Sequence, residues 1–261
     1  MKTELFIREN GVTHEFPRIL AHRGTLEIYT ENGIKAFQYS IAHGITGFET
    51  DFRLSLDNEL IVMHDSDLRR TTTGEGAVEK LTLAQIKSVK LKYSDETVPT
   101  ADELLSLFDN MHGFYIELEL KPRYGELYTP ERMDIYLNKL YDCAVRHLSK
   151  GFFIFTCFDH DVLRRMKELH PSAQTGLILG GLDEKTVDDA VALGCLGLSP
   201  TLAGTEQNLV DKAIAAGLLI NLWHSENLEL WLKARAMGAS ISTNNHPVAL
   251  LNAIKAYALE E

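Results

Sequence analysis

"LGLSPTLAGTEQNLVDKAIAAGLLINLWH", Leu196 to His224, decides the fold. A short apolar run at 196–200 gives way to an amphipathic stretch at 206–216, then to Gly217 and a second apolar run at 218–224. Glycine just past the last turn is the usual helix stop. The unit therefore reads strand, helix, strand, with the two strands parallel. The same pattern recurs on both sides. "RILAHR", "GFETDFRL", "FYIELEL", "FFIFTCF", "TGLIL" and "ASISTN" read as strands, and 32–43, 131–147, 160–169, 184–193 and 227–237 read as helices. Helix-stopping glycines also stand at 44, 194 and 238. Eight such units fit a closed (β/α)8 TIM barrel, typically roughly 250 residues long. A doubly wound open sheet is the competing arrangement, but "GTLEIYTENG" (24–33) after the first strand is not a dinucleotide fingerprint.

No low-complexity linker divides the 261 residues, so residues 1–261 are expected to form a single barrel domain. The threonine-rich "RRTTTGEG" and the helical "LTLAQIKSV" interrupt the pattern, and predict a small insertion at about 65–100 near the barrel mouth. The first 18 residues are expected to form a hairpin closing the opposite end. Net charge is −11, from 37 acids against 26 Lys and Arg, which disfavours nucleic acid or an anionic membrane as a partner. No apolar leader opens the chain and no run approaches 18 apolar residues, so neither a signal peptide nor a membrane span is expected. Cys143, Cys157 and Cys195 are scattered and odd in number, which predicts reduced thiols and a cytoplasmic location. The helix faces show no seam from which to read an oligomeric state.

The chemistry concentrates where acids interrupt strands. In "FETDFRLSLDNELIVMHD" (48–65), Glu49 and Asp51 share one face of a strand. A two-residue turn at Asp57-Asn58 would pair residues whose numbers sum to 115, setting His64 opposite Asp51. One acid on a strand is more often a wet edge, but three groups aligned by the pleat point to a site. A second pair, Glu117 and Glu119 in "YIELELKPR", shares a face with Lys121. An ion pair inside the barrel is the plain alternative there. Carboxylates without ligating cysteines suit a hard divalent cation, Mg²⁺ or Ca²⁺, better than zinc. "ILAHRG" ends a strand on His22 and Arg23. His22 and His64 form a candidate acid–base pair, and the Arg23 fork suits a phosphate. Trp223 and Phe158 each follow a strand and could wall a substrate, although core packing explains them as well.

These residues resemble the glycerophosphodiester phosphodiesterase family of metal-dependent (β/α)8 barrels. The matching pieces run in family order: "LAHRGTLEIYTENG", the block from Gly47 through Gly76, "VPTADELL", "IELELKP", "FD", "GLSP" and "INLW". By position, the resemblance implies Glu49, Asp51 and Glu119 as metal ligands and His22 and His64 as acid and base. It implies Arg23 and Lys121 on the substrate phosphate and leaves Glu117 a supporting role. The chain departs from the family at Thr30-Glu31-Asn32-Gly33, where proline–glutamate–asparagine–threonine is usual. It departs again at "STNNHP" and at His224, where a threonine is common. The function implied is metal-dependent hydrolysis of a small glycerophosphodiester to glycerol 3-phosphate and an alcohol, without stable membrane association. The competing readings are a non-catalytic phosphate-binding barrel, a phospholipase-like barrel acting on lysophospholipid head groups, and a metal-free two-carboxylate glycosidase.

Overall fold

The computed structural model describes residues 17–259. Among these residues nine strands lie in one sheet: β1 (Arg18–Ala21), β2 (Gly47–Leu54), β3 (Leu60–Val62), β4 (Tyr115–Leu120), β5 (Phe152–Cys157), β6 (Thr175–Leu179), β7 (Gly197–Pro200), β8 (Leu219–Leu222) and β9 (Ile241–Asn244). All but β3 run parallel, and β1 pairs with both β2 and β9, so these eight strands close into a barrel. Helices return the chain between strands: α1 (Ile34–Ala42), α2 (Leu83–Lys87), α3 (Ala101–Leu105), α4 (Pro130–His147), α5 (His160–Leu169), α6 (Glu184–Ala192), α7 (Gln207–Ala215), α8 (Leu228–Ala236) and α9 (Pro247–Tyr257). The stop signals act as expected. Gly44 follows α1 at φ +85° and Gly194 follows α6 at φ +64°, a left-handed conformation that costs glycine little. None of the described helices is long and apolar enough to cross a membrane. The hairpin expected over residues 1–18 falls on residues outside the described part, apart from its last two.

Alternation along each strand divides two environments. Phe48, Phe52, Ile116, Leu118, Phe155 and Leu198 point outward into the large core shared with the helices. Leu20, Tyr115, Ile154, Leu219 and Ile241, drawn from five strands, meet inside the barrel and plug its lower end. Above that plug the inward residues turn polar, with Glu117, Ser199, Asn221 and Thr243 all buried. The insertion after β3 has its own small core of Ile61, Met63, Leu68, Val78, Ile86, Leu91 and Val98. It lies near the mouth of the barrel.

The hairpin register differs from the expected one. Phe52 pairs with Val62 and Leu54 with Leu60, so partner numbers sum to 114. The cause is the turn. Ser55 accepts from the Asn58 amide at 3.1 Å, Asn58 sits at φ +61°, and the Ser55 amide donates to the Glu59 carbonyl at 2.9 Å. This is a three-residue loop with a left-handed third residue, not a two-residue turn. Asp51 is therefore opposite Met63, whose amide donates to the Asp51 carbonyl at 3.0 Å. The ladder ends at Val62, and His64 is held instead by Arg53, whose Nε and Nη2 donate to the His64 carbonyl at 3.0 and 2.8 Å.

The barrel seam at β1 and β2 leaves no room for a side chain at Gly47, where a Cβ would lie 2.3 Å from the Ile19 carbonyl oxygen. Backbone cannot retreat without breaking the ladder. Gly47→Ala is therefore expected to cost about 2 kcal/mol, an ordinary overpacking penalty, and to lower Tm by roughly 4–8 °C. An unchanged melting curve by circular dichroism would contradict this packing.

Candidate active site

Parallel register builds the site. Glu49 pairs with Glu117 and Asp51 with Glu119 across β2 and β4, while Ala21 pairs with Phe48 and so brings His22 beside Glu49. Parallel neighbours point their side chains to the same face, which here is the barrel interior. Donor oxygens of Glu49, Asp51 and Glu119 lie within 4.8 Å of one another, and all three residues are buried. Glu49 Oε1 and Asp51 Oδ1 are buried without any hydrogen-bond partner. Two orphaned carboxylate oxygens facing a third carboxylate form an all-oxygen donor set that fits a hard divalent cation. Burial, reinforced by Asp51 and then Glu119, pushes the Glu49 carboxyl well up. Burial likewise raises Glu119, to about 7, with Asp51 adding to it. Burial pushes Asp51 the same way, but Lys121 and Arg23 outweigh it and hold that carboxyl below its usual range.

The cationic side is equally built. Arg23 takes φ +53°, and its amide donates to Glu49 Oε2 at 3.0 Å. Its Nη1 donates to Glu31 Oε1 at 2.7 Å, while its buried Nε, 3.5 Å from Asp51 Oδ2, makes no hydrogen bond. Lys121 Nζ donates to Glu119 Oε1 at 2.6 Å and stands 3.4 Å from Asp51 Oδ1. Glu117 lies deeper. It accepts from Asn221 Nδ2 on both oxygens at 3.1 Å and from the Tyr115 hydroxyl at 2.9 Å. Burial raises it to about 7. Its pairing is with these neutral donors rather than with Lys121, so the Glu–Lys ion pair belongs to Glu119.

Both histidines are present with one ring nitrogen occupied. His22 Nδ1 lies 2.6 Å from Asn245 Oδ1, and its Nε2 stands 3.8 Å from Glu49 Oε2. Asn245 is itself fixed by Glu226, which accepts from its Nδ2 at 2.8 Å and its backbone amide at 3.1 Å. That network turns the amide oxygen toward His22 and assigns the proton to Nδ1. His64 Nδ1 lies 2.7 Å from Asp65 Oδ1. Burial lowers the pKa of both rings, to about 4 for His22. A cavity of about 160 Å³ joins His22, His64, Arg23, Glu49, Glu119 and Lys121 to Trp223 and Phe158. Trp223 donates its indole N–H to the Ser199 carbonyl at 2.7 Å, and its ring meets Phe158 edge-on at 6.5 Å. Of the ten residues singled out in the sequence, nine, Glu117 among them, thus line one cavity, and Asp51 is fully buried beside Glu49 and Glu119. The three cysteines are buried and form no disulfide.

Five supporting residues escaped the sequence reading. Asn32, at φ +60°, donates from Nδ2 to Asp51 Oδ2 at 2.8 Å. Glu31 and Asp65 are bridged by Arg70. Its Nη1 and Nη2 reach the two Glu31 oxygens at 2.6 Å, and its Nε reaches Asp65 Oδ2 at 2.6 Å. One guanidinium therefore steadies both the carboxylate that orients Arg23 and the one that orients His64. Asn245 stood inside "STNNHP", noted only as a departure. The available signal was that each buried charge requires a partner, but sequence spacing did not name which.

The profile of the Glycerophosphoryl diester phosphodiesterase family matches residues 22–247. A glycerophosphodiester phosphodiesterase of Caldanaerobacter subterraneus subsp. tengcongensis is 30% identical over 249 residues, covering 91% of this chain and 97% of that one. One from Bacillus subtilis is 27% identical over 226 residues, covering 80% and 76%. Among solved structures, an Oleispira antarctica phosphodiesterase in complex with the product sn-glycerol-3-phosphate is 25% identical. It covers 92% of this chain and 97% of its own, with a TM-score of 0.84.

Arg70 is half exposed, yet it pairs with the buried Glu31. Arg70→Ala leaves that carboxylate with Arg23 alone. The expected cost is about 1–2 kcal/mol, read as a loss of roughly 2–8 °C in Tm. Arg70→Lys, which cannot reproduce the fork, is expected to recover less than half of it. Equal melting of the lysine variant and the parent would remove the fork from the account.

Proposed function

The chain belongs to the glycerophosphoryl diester phosphodiesterase family, and from that premise we propose that it hydrolyses a small glycerophosphodiester to glycerol 3-phosphate and an alcohol. The observation that carries this reading is the meeting of three buried carboxylates, two of them with orphaned oxygens, with Arg23, Lys121 and two histidines around one small cavity. Glu49, Asp51 and Glu119 would hold a divalent cation, Mg²⁺ or Ca²⁺. When bound, such an ion supplies charge stabilisation to the phosphoryl oxygens.

The chain's own residues supply the rest. Arg23 Nε, a buried donor that makes no hydrogen bond, and Lys121 neutralise the phosphodiester anion and hold it in place. The two histidines divide the proton work according to their partners. His22 leans on a neutral amide, Asn245, so its Nε2 is a lone-pair acceptor for the proton of the attacking oxygen. His64 leans on a carboxylate, Asp65, which offsets part of the lowering by burial and so gives this ring the better hold on a proton of the two. It gives its proton to the oxygen of the departing alcohol as the P–O bond breaks. Trp223 and Phe158 would wall the glycerol arm.

Release of glycerol phosphate from glycerophosphocholine and glycerophosphoethanolamine tests the reading. Turnover is expected with Mg²⁺ or Ca²⁺, at least about 100-fold lower in EDTA, and similarly lower in Glu49→Ala and His22→Ala. Wild-type protein that turns over neither substrate with any metal would overturn it.

The division of roles gives a second expectation. A p-nitrophenolate leaves without needing a proton. On the p-nitrophenyl ester of glycerol phosphate, His64→Ala should regain most of the wild-type rate, while His22→Ala should stay at least about 100-fold slow. The opposite pattern in single-turnover kinetics would exchange the two histidines.

A further inference from the structure

A second cavity, of about 640 Å³, opens on the other side of the phosphate-facing residues. Glu119, Lys121 and Phe158 line both cavities, so the two spaces meet at the carboxylate cluster. The larger one is formed by Arg53 at the end of β2, Ser66 and Glu79 from the insertion, and the loop after β4 that carries Arg123, Leu127 and Tyr128. A phosphodiester has two arms on one phosphorus. If one arm occupies the small cavity beside Trp223, the other must leave toward this one. The two cavities are also tied through Arg53, which lines the larger one and grips the carbonyl of His64, a residue that lines the smaller.

The wall chemistry indicates the kind of alcohol. Its charges balance, with Arg53, Lys121 and Arg123 against Glu79, Glu119 and Glu126. An acyl chain would have to desolvate these groups, so the wall disfavours the lysophospholipid alternative. Glu79 is 2% exposed. Its Oε1 accepts from Arg53 Nη1 at 2.8 Å, whereas its Oε2 is buried with no partner. A buried carboxylate oxygen left unpaired is an acceptor awaiting a donor. The Arg53 fork is already spent on Glu79 and on the His64 carbonyl, so it does not supply that donor.

We infer that the 640 Å³ cavity is the leaving-alcohol subsite, and that Glu79 Oε2 selects alcohols bearing an N–H or O–H donor, of the ethanolamine or polyol kind, over quaternary ammonium alcohols. The inference rests on the hydrolase reading above. Three substrates separate the two: glycerophosphoethanolamine, glycerophosphocholine, and the methyl ester of glycerol phosphate, whose leaving group is too small to reach Glu79. Wild-type kcat/KM is expected to favour ethanolamine over choline by about tenfold, the scale of one hydrogen bond to a charged group.

Glu79→Gln keeps an amide oxygen for Arg53 and puts an NH2 where Oε2 was. In that variant the preference should fall to within about twofold, while turnover of the methyl ester stays within about threefold of wild type. Leu127→Trp, at the half-exposed edge of the cavity, should raise KM for the two larger substrates and leave the methyl ester unchanged. Equal wild-type kcat/KM on ethanolamine and choline, or a preference that survives Glu79→Gln with the methyl ester still cleaved, would overturn the subsite and spare the hydrolase. Loss of methyl-ester turnover in Glu79→Gln would show that Glu79 acts on the reacting centre and would also overturn it. No wild-type turnover on any of the three would overturn the hydrolase and the subsite together.

Discussion

Three carboxylates buried at one end of a parallel barrel are the constraint on which the rest of the structure depends. Each would cost several kcal/mol if left unpaired in the interior. The strands cannot avoid the burial. Glu49 and Asp51 alternate with Phe48, Thr50 and Phe52 on β2, and Glu119 alternates with Leu118 and Leu120 on β4. Turning the acids outward would turn the phenylalanines and leucines inward, and the helical layer would lose its packing surface. The outer hydrophobic face therefore fixes the inner acidic one. Fold stability and site geometry come from the same alternation.

Compensation then spreads outward in steps. Arg23 and Lys121 lie against the acids but leave Glu49 Oε1 and Asp51 Oδ1 without a hydrogen bond. Asn32 answers Asp51 from the loop after β1, Glu31 orients Arg23, and Arg70 holds Glu31 from the insertion. The same arginine reaches Asp65 and, through it, His64. The insertion has a core of its own, so Arg70 is carried on a packed element and not on a floppy tip. This explains why a segment that reads as polar and repetitive, "RRTTTGEG", sits so near the chemistry.

Much of this was legible in the sequence, and the limits have physical causes. Strand and helix positions followed from period and from glycine stops, and β2 and β6 begin and end where the apolar runs do. Glu49, Asp51 and Glu119 were legible because a charge in a strand breaks an expected pattern. The hairpin register was not, because Asn58 can sit in either a two-residue or a three-residue turn, and one residue of difference moves every partner. His64 still reaches the cavity, by a route the pleat does not describe: Arg53 draws its carbonyl after the ladder has ended. The partners of the charges were the least legible of all. Glu31 meets Arg70 across 39 positions and His22 meets Asn245 across 223, and nothing in local spacing encodes such distances.

The two histidines show how a nearly symmetric pair acquires a direction. Each has its Nδ1 occupied and lines the same cavity, so ring position alone does not distinguish them. What differs is the far partner, an amide on one side and a carboxylate on the other. Both rings line the small cavity beside Trp223, and the large, charge-balanced one opens next to it by Ser66 and Arg53. His22 and its partner Asn245 thus stand by the end of β9, and His64 and its partner Asp65 by the insertion. A barrel offers every loop the same access to its mouth. The hairpin at β3 breaks that equivalence by attaching a second core to one strand, and Arg70, carried there, reaches the partner of His64 and not that of His22.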